Sequence, residues 1–216
     1  MSKKYVNILF DLDGTLTDSA DGVTRSVQHA LKMYNINAST DELKPFIGPP
    51  LQLSFQEVYG FSEPEAYRAV EYYRDYYRDR GIYENRLYPG ITEMLIKLQQ
   101  NGMQLFVATS KPTVFARKVL KHFSVDRHFK LIIGSNLDGT RVQKAEVIEA
   151  VLDEAGDLPP EATVMVGDRE HDIIGARAHN LDSIAVSYGY GPLEELIAAK
   201  PSAIVHSVRE LTDTLQ

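Results

Sequence analysis

Asp11-Leu12-Asp13-Gly14-Thr15-Leu16 is the stretch of this 216-residue chain that decides its fold prediction. It follows an apolar run, Tyr5-Val6-Asn7-Ile8-Leu9-Phe10, whose length and composition predict a buried strand. Because side chains alternate faces along a strand, we expect Asp11 and Asp13 to project to the same side at its C-terminal end. Gly14 then allows a sharp turn. Two carboxylates side by side repel each other and hold this geometry comfortably only if a cation or a shared proton lies between them, so a chemical site is predicted here.

Composition excludes several function classes. The net charge of −7 argues against nucleic acid or an anionic membrane surface as a general partner, although it leaves small anionic substrates open. The chain contains no cysteine, which excludes a cysteine-nucleophile phosphatase, a thiolate zinc site and disulfides. Met1-Ser2-Lys3-Lys4 leads into a short strand instead of a signal peptide, and no apolar run is long enough to span a bilayer. The expected location is the cytoplasm.

Residues 90–216 alternate apolar strands with amphipathic helices. The predicted strands are Gln104–Thr109, Leu131–Gly134, Thr163–Gly167, Ser183–Ser187 and, on a weaker signal, Ala203–Val205. The predicted helices are Ile91–Asn101, Val114–His122, Lys144–Glu154, Asp172–His179, Leu193–Lys200 and Val208–Leu215. This alternation predicts an α/β fold with a doubly wound parallel sheet, which the first strand joins.

An insert separates the first strand from the rest of the sheet. About ninety residues lie between the first strand and the next one, far more than an ordinary connection. The insert, roughly 17–88, contains a helical apolar face and a capping box, Ser62-Glu63-Pro64-Glu65, that opens a helix ending near Arg80 and Gly81. It also holds nine of the twelve tyrosines. We therefore predict a helical cap domain, 17–88, inserted into a core domain made of 1–16 and 89–216.

Further chemical residues follow later strands. Thr109 and Ser110 precede Pro112, which suits the first turn of a helix, so they are candidates for an anion site at a helix N-terminus or for ordinary helix caps. Lys144 begins a helix, where the dipole disfavours a cation, so either a local anion or solvent faces it. Asp168 follows a strand and fits a magnesium ligand, whereas Asp172 is either part of that site or a helix cap.

Functional groups gather at the carboxyl ends of the strands in an open parallel sheet. The residues expected to converge there are Asp11, Asp13, Thr109, Lys144 and Asp168. Together they offer a nucleophile, an acid/base, phosphate binders and a metal ligand. Each alone has an ordinary structural explanation, but their combination favours an enzyme.

With these motifs the chain resembles the haloacid dehalogenase-like superfamily of hydrolases over essentially its whole length. The stretch Asp11–Thr15 matches its first motif, Thr109 its second, Lys144 its third and Gly167-Asp168 through Asp172 its fourth. The resemblance implies a Rossmann-like core with a helical type-one cap inserted after the first strand. Asp13 separates the chain from the dehalogenase branch, which lacks that second aspartate.

Within the superfamily the chain is most similar to the phosphoglycolate phosphatase-like branch. The similarity lies in Phe10–Ser19, Thr109-Ser110-Lys111-Pro112 and Gly167-Asp168-Arg169. The loop Phe46–Leu51 matches the place of the branch's substrate-specificity loop. The chain departs from the branch at Ala145, where a proline commonly follows the lysine, which leaves substrate identity open. The branch also includes nucleotidases and other sugar- or cofactor-phosphate phosphatases.

The resemblance, with the residue chemistry, implies a magnesium-dependent phosphatase acting on small phosphorylated metabolites. Asp11 is the expected nucleophile, forming an aspartyl-phosphate, and Asp13 the expected acid/base. The other expected roles are magnesium binding by Asp11, the Asp13 backbone carbonyl and Asp168, orientation of these ligands by Asp172, and phosphate binding by Thr109, Ser110 and Lys144. Residues expected to read the leaving group are Gly48, Pro49, Pro50, Leu51 and Lys111.

Three alternatives remain open at this level. A sugar-phosphate mutase of the same fold would share every core motif. A receiver-like signalling domain uses similar residues, but it would be about half as long and would phosphorylate an aspartate on a later strand. A catalytically inactive interaction protein would be expected to lack a core residue, and none is missing here. The sequence leaves the oligomeric state and the exact substrate undetermined.

Overall fold

The computed structural model describes residues 5–156 and 158–216. The chain divides into two compact units, one comprising Met1–Thr17 and Leu87–Gln216 and the other Asp18–Arg86. These boundaries lie within two residues of those expected for the core and cap domains. The functional assignment of the units as catalytic core and cap remains our proposal.

The described strands form a six-stranded sheet and a short two-stranded one. In chain order the strands are β1 Asn7–Phe10, β2 Thr17–Asp18, β3 Arg86–Leu87, β4 Gln104–Pro112, β5 Leu131–Ser135, β6 Thr163–Gly167, β7 Asp182–Val186 and β8 Ala203–Val205. The larger sheet has the order β5-β4-β1-β6-β7-β8, and its strands pair in parallel. The predicted α/β fold is thus confirmed.

Helices connect and cover the strands. They are α1 Ala20–Lys32, α2 Leu51–Tyr59, α3 Glu63–Tyr76, α4 Ile91–Gln100, α5 Thr113–His122, α6 Lys144–Ala155, α7 Glu170–Ala178, α8 Leu193–Ala199 and α9 Val208–Leu215. On one face of the larger sheet, Leu9, Phe106 and Met165 pack with residues of α6 such as Val147 and Val151. In residues 5–156 and 158–216, no helix combines the length and apolar character that crossing a membrane requires.

The smaller unit differs from its sequence prediction in two helical elements. Helix α2 is not predicted from the sequence, because the turn-forming residues Gly48-Pro49-Pro50 before it dominate the local signal. The helix predicted to end near Arg80 instead ends as α3 at Tyr76, and a π-helical turn, Tyr77–Gly81, continues it. At that turn Gly81 passes so close to α1 that a Cβ on it would lie 2.8 Å from the Gly22 carbonyl oxygen. A backbone contact of this kind does not change the hydrophobic periodicity, so the sequence pattern does not predict it.

The strand order places the ends of three strands side by side. β1 lies between β4 and β6, with Phe10 in register with Val107 on one side and Val166 on the other. The chain runs outward from β1 through β4 to β5, and then from β6 to β8 on the opposite side. This reversal makes the carboxyl end of β1 the switch point of the sheet, where open α/β proteins bind ligands.

Candidate active site

Asp11 and Lys144 meet at the carboxyl end of β1. The Asp11 N–H donates to the Val166 carbonyl at 2.9 Å, which continues the sheet by one residue. Lys144 Nζ donates to Asp11 Oδ1 at 2.8 Å and to the Ala108 carbonyl at 3.0 Å. The Lys144 side chain is only 3% exposed, so it is not the solvated lysine that the sequence analysis left open. One oxygen of Asp11 is therefore held in a fixed direction by a buried cation.

Lys144 also forms an ion pair with Asp172, whose Oδ1 lies 2.8 Å from Nζ. Burial alone lowers the pKa of a lysine, but the negative charges of Asp11 and Asp172 outweigh it and raise the pKa of Lys144 above its ordinary value. Lys144 is thus charged at neutral pH. A permanent positive charge at this position can bind and stabilise phosphoryl oxygens.

Three buried carboxylates form a candidate metal site. Asp11, Asp168 and Asp172 each offer an oxygen, and these oxygens all lie within 4.8 Å of one another. Burial raises the pKa of Asp168 well above its usual range, and repulsion by Asp11 and Asp172 adds to this. A divalent cation bound by oxygen ligands would relieve that repulsion, so the donor set fits a hard metal ion. Asp11 and Asp168 are the two side chains that the sequence predicts as metal ligands, and the structure adds the side chain of Asp172 beside them.

Asp172 also caps the helix that follows β6. Its Oδ2 accepts a hydrogen bond from the Arg169 N–H at 3.0 Å, at the start of α7. Burial raises its pKa, while the charge of Lys144 opposes the rise. A Cβ at Gly167 would lie 2.1 Å from the Asp172 carboxyl carbon, so the position requires glycine. The sequence leaves open whether Asp172 caps a helix or belongs to the site. In the structure its side chain does both.

Asp13 lies beside a different lysine. Lys111 Nζ forms an ion pair with Asp13 Oδ2, and the two side chains are only 6% and 13% exposed. Asp13 Oδ1 is buried and has no hydrogen-bond partner in the part of the chain that is described. From the sequence, Lys111 is expected only to read the leaving group, and the structure adds this direct contact with the expected acid/base.

Thr109 and Ser110 lie where β4 becomes irregular. Thr109 pairs with Gly134 and Pro112 with Ser135, so the intervening residues bulge out of the ladder. Thr109 Oγ1 is buried and accepts a hydrogen bond from the Lys111 N–H at 3.3 Å. The sequence indicates Pro112 as suited to the first turn of the helix, whereas in the structure it is the N-cap residue, directly before that turn. Pro112 ends the strand, and α5 begins at Thr113.

The expected specificity loop belongs to the smaller unit. Gly48 has a left-handed φ of 105°, which glycine adopts without strain, and Leu51 begins α2. Pro50 directly precedes the helix, and its carbonyl accepts from the Ser54 N–H at 3.1 Å. Gly48, Pro49, Pro50 and Leu51 are all half-buried. Their part in substrate recognition remains a proposal.

Two contacts of Asp168 were not predicted. Thr15 Oγ1 donates to Asp168 Oδ1 at 3.2 Å, and the backbone N–H of Tyr190 donates to Asp168 Oδ2 at 2.8 Å. The signal that could have revealed the second is the alternating Tyr188-Gly189-Tyr190-Gly191 directly after a predicted strand. Glycine in such a place marks the close approach of another part of the backbone.

A family model described as haloacid dehalogenase-like hydrolase matches residues 8–186. The chain belongs to this family. The matched range includes the aspartates that follow β1, the β4 threonine, Lys144 and Asp168, which the strand order of this chain brings to one edge of the sheet. The prediction of a haloacid dehalogenase-like hydrolase is confirmed.

The names of similar proteins in the family support the assignment of this chain as a phosphatase. The chain is 49% identical to a 5′-nucleotidase of Pseudomonas aeruginosa, covering 99% of this chain and 96% of that one. It is 30% identical to a phosphoglycolate phosphatase of Agrobacterium fabrum, covering 96% and 91%. The crystal structure of a predicted phosphatase from Clostridium acetobutylicum superposes with a TM-score of 0.95 at 46% identity, covering 98% of each chain. The chain is thus a phosphatase-type member of the family.

One relative carries a different name. The chain is 39% identical to the tyrosine-protein kinase PtkA of Mycobacterium tuberculosis, covering 96% of this chain and 72% of that one. Kinase and phosphatase names thus occur on chains that share this fold. The reaction of this chain has to be argued from its own residues.

Proposed function

We propose that this protein is a magnesium-dependent phosphatase that hydrolyses small phosphomonoesters through an aspartyl-phosphate. The observation that carries the proposal is the contact of Asp11 Oδ1 with buried Lys144 at 2.8 Å, inside a cluster of three buried carboxylates at the switch point of the sheet. A carboxylate held by a lysine at this place is oriented for nucleophilic attack.

In the first step, the Asp11 carboxylate attacks phosphorus and the bond from phosphorus to the leaving oxygen breaks. Asp13, protonated at this stage, gives its proton to the leaving oxygen, so that an alcohol departs. The Lys144 ammonium and the Thr109 hydroxyl neutralise and orient the phosphoryl oxygens during the transfer. Asp11 then carries the phosphoryl group.

In the second step, a water molecule attacks the phosphorus of the aspartyl-phosphate. Asp13, now a carboxylate, accepts the proton of this water, and the bond between phosphorus and the Asp11 oxygen breaks. The products are inorganic phosphate, the free Asp11 carboxylate and a protonated Asp13. The same residue thus serves as acid and then as base, which returns the site to its starting state.

The residues at the site fit magnesium. Asp11, Asp168 and the backbone carbonyl of Asp13 would hold the ion, and Asp172 would orient Lys144 and the start of α7 behind them. When bound, the ion supplies positive charge that offsets the charge of the transferring phosphoryl group. This role is consistent with the repulsion among the three buried carboxylates, which a cation removes.

Nucleoside 5′-monophosphates are the substrate class that we propose first. The 49% identical relative named 5′-nucleotidase supports this class over 99% of the chain. Phosphoglycolate is the second candidate, because relatives of lower identity are named phosphoglycolate phosphatases. Both are small monoesters, for which the same core chemistry suffices.

A hydrolysis screen tests the proposal. Purified protein is incubated with nucleoside 5′-monophosphates, phosphoglycolate and sugar phosphates, with magnesium, with calcium or with excess chelator. We expect phosphate release only with magnesium, because calcium takes more and longer oxygen ligands and fits this geometry poorly. Undiminished hydrolysis in excess chelator would refute the metal assignment.

Product analysis in this screen, with a separate ATP assay, distinguishes a phosphatase from a mutase and from a kinase. A mutase would convert one sugar phosphate into its isomer with little phosphate release. A kinase of the kind named for the mycobacterial relative would transfer phosphate from ATP to tyrosine, which a labelled-ATP assay with a tyrosine-containing acceptor detects. Release of inorganic phosphate from monoesters, without either transfer, is the outcome that we expect.

A further inference from the structure

The loop that follows β7 encloses the carboxylate of Asp168. We call Ser187–Gly191 the post-β7 loop. The Tyr190 N–H of this loop donates to Asp168 Oδ2 at 2.8 Å. The other oxygen of Asp168, Oδ1, accepts from Thr15 Oγ1 at 3.2 Å. Each carboxylate oxygen thus has one fixed donor, and the two donors come from opposite ends of the larger unit's sequence.

A second contact of the post-β7 loop holds Thr15 itself. The hydroxyl of Tyr188 donates to the Thr15 carbonyl at 3.0 Å. The ring of Tyr188 packs edge-on against that of Tyr88, with 5.0 Å between the ring centroids. The loop therefore fixes Asp168 twice, directly through Tyr190 and indirectly through Tyr188 and Thr15.

The post-β7 loop packs so closely against Asp168 that its two glycines have no room for a side chain. A Cβ at Gly189 would lie 2.4 Å from the Asp168 Cβ and 2.4 Å from the Gly14 carbonyl oxygen. A Cβ at Gly191 would lie 1.9 Å from the Asp168 carbonyl oxygen. Neither glycine has a left-handed φ. Lack of room beside Asp168, and not backbone conformation, is therefore the reason for glycine at both positions.

We propose that the post-β7 loop is a positioning element that sets the affinity of the Asp168 site for its divalent cation. Tyr188 and Gly189 act through Asp168 and Thr15 and do not contact the reacting atoms. The inference rests on the proposed function, because it assumes that Asp168 is a metal ligand. Residues that orient metal ligands from behind commonly change metal affinity by about 10–100-fold when substituted.

Calorimetric titration with magnesium alone, without substrate, provides the test. Gly189→Ala pushes against Asp168, so we expect its magnesium dissociation constant to rise by about tenfold or more. Tyr188→Phe keeps the ring beside Tyr88 and removes only the hydroxyl, so we expect a smaller rise. Gly102→Ala is the matched control, since Gly102 has a φ of +81° and no atom within 4 Å of its Cβ position. It should lower the melting temperature and leave magnesium affinity unchanged.

The outcomes are distinguishable. If Gly189→Ala and Tyr188→Phe bind magnesium as tightly as the wild type, the proposed role of the loop is overturned. If Gly189→Ala does not fold, the dissociation constant of Tyr188→Phe decides the matter by itself. If Gly102→Ala weakens magnesium binding as much as Gly189→Ala does, the effect reflects general instability and the inference is also overturned. A wild type that binds no magnesium would overturn this inference together with the metal assignment of the proposed function, whereas loss of the loop effect alone would leave that assignment intact.

Discussion

The two aspartates of the first motif have different surroundings. Asp11 lies in the three-carboxylate cluster, and Lys144 holds its Oδ1. Asp13 pairs with Lys111 through Oδ2, and its Oδ1 is buried with no hydrogen-bond partner in residues 5–156 and 158–216. Both aspartates lie beside a lysine, but Asp11 belongs to the carboxylate cluster, whereas the Oδ1 of Asp13, which has no donor, can carry a proton or receive one. This difference supports separate roles as acid/base and nucleophile.

Asp11→Asn should abolish turnover and leave the fold intact. The amide has nearly the same shape but is a poor nucleophile, so we expect kcat to fall by about 10⁴-fold or more. Steady-state hydrolysis and circular dichroism measure activity and fold. Asp153→Asn, a change at an exposed position of α6, serves as the control and should retain full activity. Near-normal activity of Asp11→Asn would contradict the assignment of the nucleophile.

Asp13→Asn should affect substrates according to their leaving groups. A good leaving group, such as an aryl oxide, needs little protonation, whereas an alkyl oxide depends on it. In single-turnover experiments, the rate of phosphoryl transfer from an aryl phosphate should therefore fall less than that from an alkyl phosphate. Equal losses for both would mean that Asp13 serves in metal binding or structure only.

At the scale of elements, a histidine links a turn to a neighbouring helix. The turn Asp126–His128 lies between α5 and β5. His128 Nδ1 lies 2.6 Å from Gln99 Oε1, and Gln99 Nε2 donates to the His128 carbonyl at 3.1 Å, so the turn is tied to α4. Burial lowers the pKa of His128, and the charge of Arg127 adds to this effect. The neutral imidazole is therefore the form that the fold accommodates.

Stability should fall on acidification because of this histidine. The unfolded chain binds a proton at His128 near its ordinary pKa of 6.5, whereas the folded protein binds it only at lower pH. The contribution of His128 is thus fully present above about pH 6.5 and is lost as the pH falls through the folded pKa. Urea unfolding at pH 7 and pH 5 should show a smaller loss for His128→Asn than for the wild type. Parallel losses in both proteins would count against this account.

At the scale of the whole molecule, the chain places its chemistry and its insert in separate units. The residues of the candidate site lie in Met1–Thr17 and Leu87–Gln216, and the loop proposed to read the leaving group lies in Asp18–Arg86. If substrate choice belongs to the smaller unit, it can change without altering the carboxylates that perform the reaction. We therefore expect substitutions in the loop to change substrate preference while leaving the reaction at the carboxylates intact.

Leu51→Ala and Pro49→Ala should reorder substrate preference. Removing apolar surface that contacts one leaving group and not another changes their ratio of kcat/KM by about tenfold. The measurement is kcat/KM across nucleotides, phosphoglycolate and sugar phosphates. Val58→Ala, an exposed position on the same helix, is the control and should leave the order unchanged. Equal proportional changes for all substrates would show that this loop does not read the leaving group.

The fold class and the positions of the candidate site residues along the chain can be read from the amino-acid sequence alone. Alternation of apolar and amphipathic segments encodes a parallel sheet, because burial on both faces requires continuous apolar strands with helices between them. Asp11, Thr109, Lys144 and Asp168 were found because each follows a strand or begins a helix in that pattern. Short elements such as α2 and the π-helical turn are not predicted by this pattern, because turn-forming residues and close backbone contacts at glycine produce no hydrophobic periodicity.

The contacts between these residues follow from the three-dimensional arrangement of the strands and not from local sequence. Asp11 meets Lys144 across 133 positions and Asp13 meets Lys111 across 98, and neither pairing follows from local pattern. The Tyr190 amide on Asp168 has no signature in the Tyr190 side chain, because any residue other than proline could supply it, and the neighbouring glycines indicate a close approach without naming its partner. Periodicity reports which face of an element is buried. The partners of a buried charge depend on strand order and on how closely distant backbone segments approach.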